Sequence, residues 1–405
     1  MLFSLAWKNI WRNKTRSLLI LGSVVLAIWI ATFMMAYALG VIDQRLEDAV
    51  DDEISHFQMH HPAFRKDKEA RYYIQHGSSI LNDLQKDRRI MAVTSRVISL
   101  GIAASSLTST GVKINGVDME GEKSVTGLDD KLIEGNYFTL SDRNRAIIGQ
   151  KLAGKLGVGI RSKIVLTFQD SKGNIASGAF RIIGLFKTIN SNYDGLNVFV
   201  RDEDLARLLE MPSQIHEIAA LVHHPDSLDI FMESYREFYP GVSIQDWSDL
   251  SPELGIMVES FDQYMVVFLI IILLAVSFGI INTMLMAVLE RVRELGMLMA
   301  IGMNKLSVFL MIALETIYLV LLGSPLGLLL AYLTIVYTGE TGIDLSGLYE
   351  DSYASFGIKS IIHPKLNPAQ YWRILFLVVI TAVLASIYPA LTAIRLKPVS
   401  AMRKI

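Results

Sequence analysis

The sequence predicts an α-helical membrane protein with four transmembrane helices and a large α+β domain inserted between helices 1 and 2. Composition is the first reason. The chain of 405 residues is 52% hydrophobic with a mean hydropathy of +0.38, yet 19% of it is charged. That is too apolar for a soluble enzyme and too charged for a bundle lying wholly in lipid. The second reason is four long apolar runs, Leu18–Leu39, Tyr264–Leu289, Val308–Tyr337 and Ile374–Ile394. Each supplies the ~20 helical residues that a hydrocarbon core of ~30 Å requires. The third is the distribution of basic residues. Lys8, Arg12, Lys14 and Arg16 precede the first run, Arg291, Arg293 and Lys305 separate the second from the third, and Arg395, Lys397, Arg403 and Lys404 follow the fourth. The positive-inside rule puts all three flanks, and both termini, in the cytoplasm. The stretch between the first two runs then lies outside.

Residues 1–16 alternate an apolar stripe with a basic face, which predicts an amphipathic helix on the inner membrane surface. Residues 17–42 form transmembrane helix 1, and the acidic stretch after it continues the helix outward. The external domain covers 43–262. Strand signals fall at Ser55–His60, Ile90–Ala104, Gly111–Val117, Ala146–Ile148, Lys163–Phe168, Phe180–Phe186 and Leu196–Val200. Helical signals fall at Ser78–Lys86, Gln150–Leu156, Asp202–Glu210 and Ser227–Phe238, with Asp202 and Asp226 as N-cap candidates. Asp170–Asn174 reads as a hairpin turn. Transmembrane helix 2 occupies 263–290, a short surface helix 291–305, and transmembrane helix 3 306–338. That third span holds Gly323, Pro325 and Gly327, a small-residue contact or a kink, and Glu315, which must face the bundle or its cytoplasmic edge and find a partner. A short external loop, 339–369, precedes transmembrane helix 4 and a cytoplasmic tail, 370–405.

Catalytic signals are weak. Gly149–Leu156 nearly matches a phosphate-binding loop, but Leu156 stands where a Mg²⁺-binding hydroxyl is required. His56, His60 and His61, and the pair His223 and His224, lack carboxylates at ligand spacing. No catalytic residue, metal site or cofactor site is expected, and a net charge of −2 without a basic tail gives no sign of nucleic acid. With no cysteine, disulfides and thiol chemistry are excluded.

Glu290–Lys305 (ERVRELGMLMAIGMNK) carries the clearest functional signal. A charged helical stretch pinned between two spans must lie at the membrane surface. Apolar knobs among paired charges suit docking into a groove of a cytoplasmic partner. The candidate docking residues are Glu290, Arg291, Arg293, Glu294, Gly296, Met299, Ala300 and Gly302, with Gly302 also a helix terminator. Phe261, Met265 and Phe268, near the outer start of the second span, are candidates for lining an apolar substrate cleft.

Ile281–Met286 leading into Glu290–Gly296 and Ala300–Gly302, with the ending Tyr388–Ala390, Leu396–Val399 and Ala401–Arg403, strongly resembles the FtsX-like permease domain of type VII ABC transporters. Glu134–Phe138, Ile147–Ala153 and Phe180–Gly184 resemble the periplasmic core domain of the MacB and LolC/LolE branches. The resemblance covers essentially the whole chain. It implies a multi-pass protein of the bacterial inner membrane whose inserted domain is periplasmic, and whose surface helix is the coupling helix of a mechanotransmission system. ATP and Mg²⁺ would then reside on a separate cytoplasmic ABC ATPase dimer, and this chain would not be an enzyme. Further expected partners are a second permease copy or paralogue, membrane lipid, a lipoprotein and a periplasmic carrier. Lipoprotein release is the expected function. The alternative is a transmembrane signal transmitter that regulates a periplasmic enzyme, or that senses or exports an antimicrobial peptide or macrolide-like compound.

Overall fold

The computed structural model describes residues 2–12, 14–347, 354 and 356–395, with the backbone alone for 2–5, 16 and 226. The expected tail beyond Arg395 lies outside the described residues. The helices, in chain order, are α1 (Leu2–Arg12), α2 (Lys14–Ala49), α3 (Phe64–Asp67), α4 (Gly77–Lys86), α5 (Met119–Thr126), α6 (Gln150–Leu156) and α7 (Ser191–Asp194). They continue as α8 (Asp202–Leu208), α9 (Leu228–Phe238), α10 (Trp247–Leu250), α11 (Pro252–Glu290), α12 (Val292–Ala300), α13 (Lys305–Thr341) and α14 (Pro368–Ile394). The strands are β1 (Phe57–His60), β2 (Ile90–Ala104), β3 (Ser109–Val117), β4 (Leu132–Gly135), β5 (Arg145–Gly149) and β6 (Lys163–Gln169). After them come β7 (Ile175–Phe186), β8 (Asn197–Arg201), β9 (Glu217–Val222), β10 (Ser243–Asp246), β11 (Ile343–Asp344) and β12 (Ile361–Ile362).

The chain divides into two compact units. One comprises Met1–Ile42, Glu259–Asp344 and Ile361–Ile405, the other Asp43–Val258 and Leu345–Ser360. In the first, α2, α11, α13 and α14 are long and apolar enough to cross a membrane. Helix α2 continues outward through its acidic stretch as expected, and α11 begins at Pro252, ahead of the expected start at 263. At 1.5 Å per residue, the 36 residues of α2 and the 39 of α11 measure about 54 and 58 Å, well beyond a core of ~30 Å. The sequence offers no reason to stop earlier. No glycine or proline interrupts Asp43–Ala49, and Pro252 sits at the first helical position of α11, where its missing N–H costs little.

The spans pack through Ile20, Val24, Ile28, Ile280, Met284, Leu319, Val378 and Ala382. Gly323 and Gly327 meet α2. A methyl at Gly327 would lie 2.9 Å from Ile28 Cβ and 3.0 Å from the Val25 carbonyl oxygen, and one at Gly323 3.1 Å from Val24 Cγ1. The small residues therefore serve helix contact, while Pro325 stays inside an unbroken α13. Trp29 donates its indole N–H to Thr334 Oγ1 at 3.1 Å, a further tie between α2 and α13.

The expected loop 339–369 is more structured than its sequence suggested. β11 and β12 pair antiparallel, and Leu345–Ser360 belongs to the other unit, where Lys359 meets Asp48 at 2.6 Å.

The second unit is built on a mixed sheet whose strands run β10-β1-β9-β2-β3-β8-β5-β7-β4. β6 pairs with both β2 and β7, so β2-β3-β8-β5-β7-β6 close into a six-stranded ring. Inward residues of these strands, among them Val112, Ile114, Ile148, Leu166, Phe168, Phe180, Ile182 and Val198, fill one core. β2 is shared. Its first half pairs with β9 and its second with β6 and β3. Gly101 sits where pairing with β6 begins, and a methyl there would meet the Thr167 carbonyl oxygen at 2.4 Å. β1, β9 and β10 carry a second core with α4 and α9, around Phe57, Met59, Leu84, Ile218 and Phe231.

Neither aspartate caps its helix as expected. Arg201 occupies the N-cap of α8, and Ser227 that of α9, neither with a side-chain bond, while Asp202 is the first residue inside α8. The Asp170–Asn174 turn does join β6 to β7, with Asp170 accepting the N–H groups of Lys172 and Asn174, both at 2.8 Å.

Candidate functional site: a charged docking helix

α11 ends at Glu290, and Arg291 takes the N-cap position of α12. The helix closes in a Schellman motif. Gly302 adopts φ +110°, the Met303 N–H donates to the Leu298 carbonyl at 3.0 Å, and the Gly302 N–H donates to the Met299 carbonyl at 3.2 Å. Asn304 then caps α13 by accepting the Ser307 N–H at 2.6 Å. Gly302 thus terminates the helix as its sequence position implies.

The eight candidate docking residues do not share one surface. Glu290, Arg293, Glu294, Ala300 and Gly302 are exposed, Gly296 is buried, and Arg291 and Met299 are half-buried. Leu295 is fully buried in the core of the spans. The outward stripe is Arg293, Met297 and Ala300, spaced i, i+4 and i+7, continued by Ile301 at 79% exposure. Met297 and Ile301 were missing from the sequence-derived set. Stepping 100° per residue from the inward pair Leu295 and Met299 finds both.

A chain of charges fixes α12 from behind. Arg291 Nε meets Glu294 at 3.1 Å, and its Nη1 meets Glu315 of α13 at 3.5 Å. Glu315 is buried at 3% exposure, so the predicted partner of this costly carboxylate is the arginine at the head of the docking helix. Glu294 also pairs with Arg12 of α1. The Arg12 hydrogen bond, then that of Arg291, holds the Glu294 carboxyl below its usual range.

The first helix departs from expectation. Ala6 and Ile10 are buried in the core of the spans, and Trp7 stands edge-on to Tyr318 of α13 with centroids 5.7 Å apart. Ser17 donates to the Ile10 carbonyl at 2.6 Å. The apolar stripe read as a lipid-facing surface is, in part, a protein-packing surface on α13.

Phe261, Met265 and Phe268 lie on one face of α11, and that face turns inward. Phe261 is buried, Met265 and Phe268 partly so, and Met265 packs on the core of the spans. The exposed stripe of α11 is instead Tyr264, Val267, Ile271, Leu274 and Phe278.

The other sequence candidates are absorbed by the fold. Lys151 Nζ donates to Ser191 Oγ at 3.1 Å and Asn192 Oδ1 at 3.3 Å, and Lys155 Nζ to the Gly195 carbonyl at 3.2 Å. Both lysines of the near-phosphate-loop therefore tie α6 to α7 and the turn after it. His56 Nδ1 accepts the Val222 N–H, His61 Nδ1 accepts the Ala63 N–H, and His60 Nε2 meets Glu217, each at 3.1 Å. Among the described residues, no group of three or more His, Cys, Asp or Glu side chains is placed to hold a metal ion.

One charged cluster in the second unit gave no sequence signal. Arg96 is bidentate to Glu122 at 2.8 and 2.9 Å and meets Glu217 at 2.6 Å, all three buried. Burial opposes the charge on Glu217, but Lys113 and Arg96 outweigh it and hold the carboxyl well below its usual range.

Four helices long and apolar enough to cross a membrane, a charged surface helix between the second and third, and a large inserted domain define the class. The FtsX-like permease C-terminal family matches residues 266–398, and the MacB-like periplasmic core domain matches 17–237. The chain belongs to the family with a MacB-like periplasmic core domain and carries an FtsX-like permease C-terminal domain after it. It is similar to the lipoprotein-releasing system transmembrane protein LolC of Buchnera aphidicola, 22% identical over 71% of this chain and 70% of that protein. It is 24% identical to an uncharacterized ABC transporter permease of Methanocaldococcus jannaschii, over 67% of this chain and 65% of that one. A macrolide export ATP-binding/permease protein MacB of a Shewanella strain is 30% identical over 33% of this chain, and the match spans only 18% of that protein. Among solved structures, the periplasmic region of MacB from Actinobacillus actinomycetemcomitans aligns with 52% of this chain and 98% of that one, with a TM-score of 0.37 and 15% identity.

Proposed function

We propose that this chain is the permease subunit of an ABC transporter in the bacterial inner membrane, with both termini cytoplasmic and the inserted domain periplasmic. It docks a cytoplasmic ATPase dimer through the outward stripe of α12 and works beside a second permease copy or paralogue. The observation that carries the reading is the build of α12. Its outer face offers Arg293, Met297, Ala300 and Ile301, while Arg291 locks its inner face to Glu315 of α13. A helix held this way transfers a push on its outer face to the span behind it. α11 runs unbroken through residues of both compact units, which supplies a covalent route for that motion.

The cargo we propose is a lipoprotein, drawn from the membrane and handed to a periplasmic carrier. The likeness to LolC, which runs along 71% of this chain and 70% of that protein, favours it over the alignment with a full-length MacB, which covers 33% of this chain and 18% of that protein. At about 0.8 kcal/mol per buried methylene, withdrawing a lipid anchor of two or three acyl chains is work on the ATP scale. The MacB-like match over 17–237 supports a second reading, export of a macrolide-like compound.

The test is reconstitution with the cognate ATPase in proteoliposomes, measuring ATP-dependent transfer of a lipoprotein to a soluble acceptor. Wild type transfers, and Arg293→Glu with Ile301→Glu loses both ATPase co-purification and transfer. ATP turnover with no lipoprotein leaving the bilayer would refute the cargo. Full co-purification of the double variant would refute the docking stripe.

A further inference from the structure

The fold leaves a lined pocket of about 260 Å³ in the second unit, beside the histidine pair His223 and His224. Its floor is Leu228 and Phe231 of α9, both buried, and Ile230 stands at the rim at 77% exposure. Arg88, His223 and His224 complete the wall. The depression accepts a body the size of a ring bearing a short chain.

The charges on the wall are not equivalent. Arg89 is spent. Its Nε and Nη2 meet Asp87 at 3.0 and 2.6 Å, and its guanidinium lies 4.7 Å from the centre of the Phe231 ring. The Arg89 hydrogen bonds hold the Asp87 carboxyl down to about 2, so that pair stays closed at any physiological pH. Arg88 is exposed, and among the described residues its guanidinium has no hydrogen-bond or ion-pair partner. The side chains of His223 and His224 are likewise exposed and unengaged among the described residues. Backbone bonds preset the walls. The His223 N–H donates to the Arg89 carbonyl at 3.1 Å, and Ser227 Oγ donates to the His224 carbonyl at 3.1 Å.

We propose that this pocket binds apolar monocarboxylates, with the ring or chain on Leu228, Phe231 and Ile230 and the carboxylate on Arg88, in the wall that His223 and His224 also line. The apolar floor demands an apolar body, and a free guanidinium demands an anionic head. Arg89, already paired with Asp87 and lying over Phe231, lines the pocket without being the anion's partner. The site is independent of the docking helix and of the transported cargo.

The probe is 4-phenylbutyrate, with the matched alcohol 4-phenyl-1-butanol, titrated onto the full chain in lipid nanodiscs. Saturation-transfer NMR is the readout, with empty nanodiscs subtracted. The carboxylate binds saturably and about fivefold or more tighter than the alcohol. Arg88→Gln abolishes that preference while leaving the alcohol's affinity unchanged, which shows that the variant is folded. Ile230→Asp weakens the carboxylate about tenfold. Equal affinity for the two probes, an unchanged preference in Arg88→Gln, or no saturable signal above empty nanodiscs would each overturn the proposal.

Discussion

Arg96→Met is the perturbation whose cost the structure states most directly. The guanidinium is 3% exposed and faces Glu122 and Glu217, whose side chains are 0% and 4% exposed. Three of its nitrogens are engaged between 2.6 and 2.9 Å. Methionine fills most of the volume but leaves two buried carboxylates short of their counter-ion. Breaking a buried pair from one side costs about 3–5 kcal/mol, which is roughly a hundredfold or more in a local opening equilibrium. Hydrogen exchange read by mass spectrometry on the full chain measures it, in peptides covering α5 and β9. Lys172→Gln is the control, because its pair with Glu210 is exposed on both sides, 67% and 56%, where water and salt screen it. Adding Glu122→Gln to the methionine variant should recover part of the loss, since that buried charge is then removed while Glu217 keeps Lys113 and His60 beside it. Protection in Arg96→Met within about threefold of the Lys172 control would refute the claim that this cluster holds α5 to the sheet.

Three further outcomes follow from the same geometry. Swapping the charges of Arg12 and Glu294 together should restore the α1–α12 tie that either single reversal breaks, read as crosslinking between cysteines placed on the two helices; a coupling energy of about 0.2–1 kcal/mol is expected, shrinking with salt. Gly327→Leu should separate α2 from α13 and cost about 1–3 kcal/mol, measured as a lower thermal midpoint in detergent, whereas Gly22→Ala, at an open position on α2, should not. Burial raises the folded Asp194 carboxyl to about 6 from 3.8, so the folded state binds this proton more tightly than the unfolded one, and stability from this group grows as pH falls through 6 toward 4. Asp194→Asn should therefore gain stability relative to wild type at pH 7.5 and lose that advantage at pH 4.5. Using the difference between the two proteins cancels the opposite trend from His216, whose folded pKa burial lowers.

What the sequence revealed follows how each element earns its stability. The spans were legible because lipid imposes length and apolarity on every residue, and Ile90–Ala104 because a long β-branched run needs no context. β9 was missed because it is buried on both faces and contains Ala219 and Ala220, so it neither alternates nor favours a strand. β4 and β10 were missed as short polar edges, and α5 because its Met119–Thr126 sequence is polar and contains Gly121. Ring closure was invisible for another reason. It depends on β6 finding β2 more than sixty residues earlier, and a pairing at that distance leaves no local trace. At the docking helix, residue types announced the element, yet its polarity misassigned the faces. Charge alone placed Arg291 on the partner side, and only its geometry with Glu315 turns it inward.

That inversion bears on how such a helix works. Of its charges, Glu294 is held by two arginines and Arg291 by two glutamates, while Glu290 and Arg293 stand exposed outside that ladder. The ladder also becomes drier inward. The Arg12–Glu294 pair is 52% and 47% exposed, and the Arg291–Glu315 pair 15% and 4%. Salt screens the outer pair more than the inner one, so the two contacts differ in how they respond to ionic strength. Arg291 and Glu294 therefore fix the helix to its own protein, and on the docking reading proposed above the face left for a partner is that of Arg293, Met297, Ala300 and Ile301.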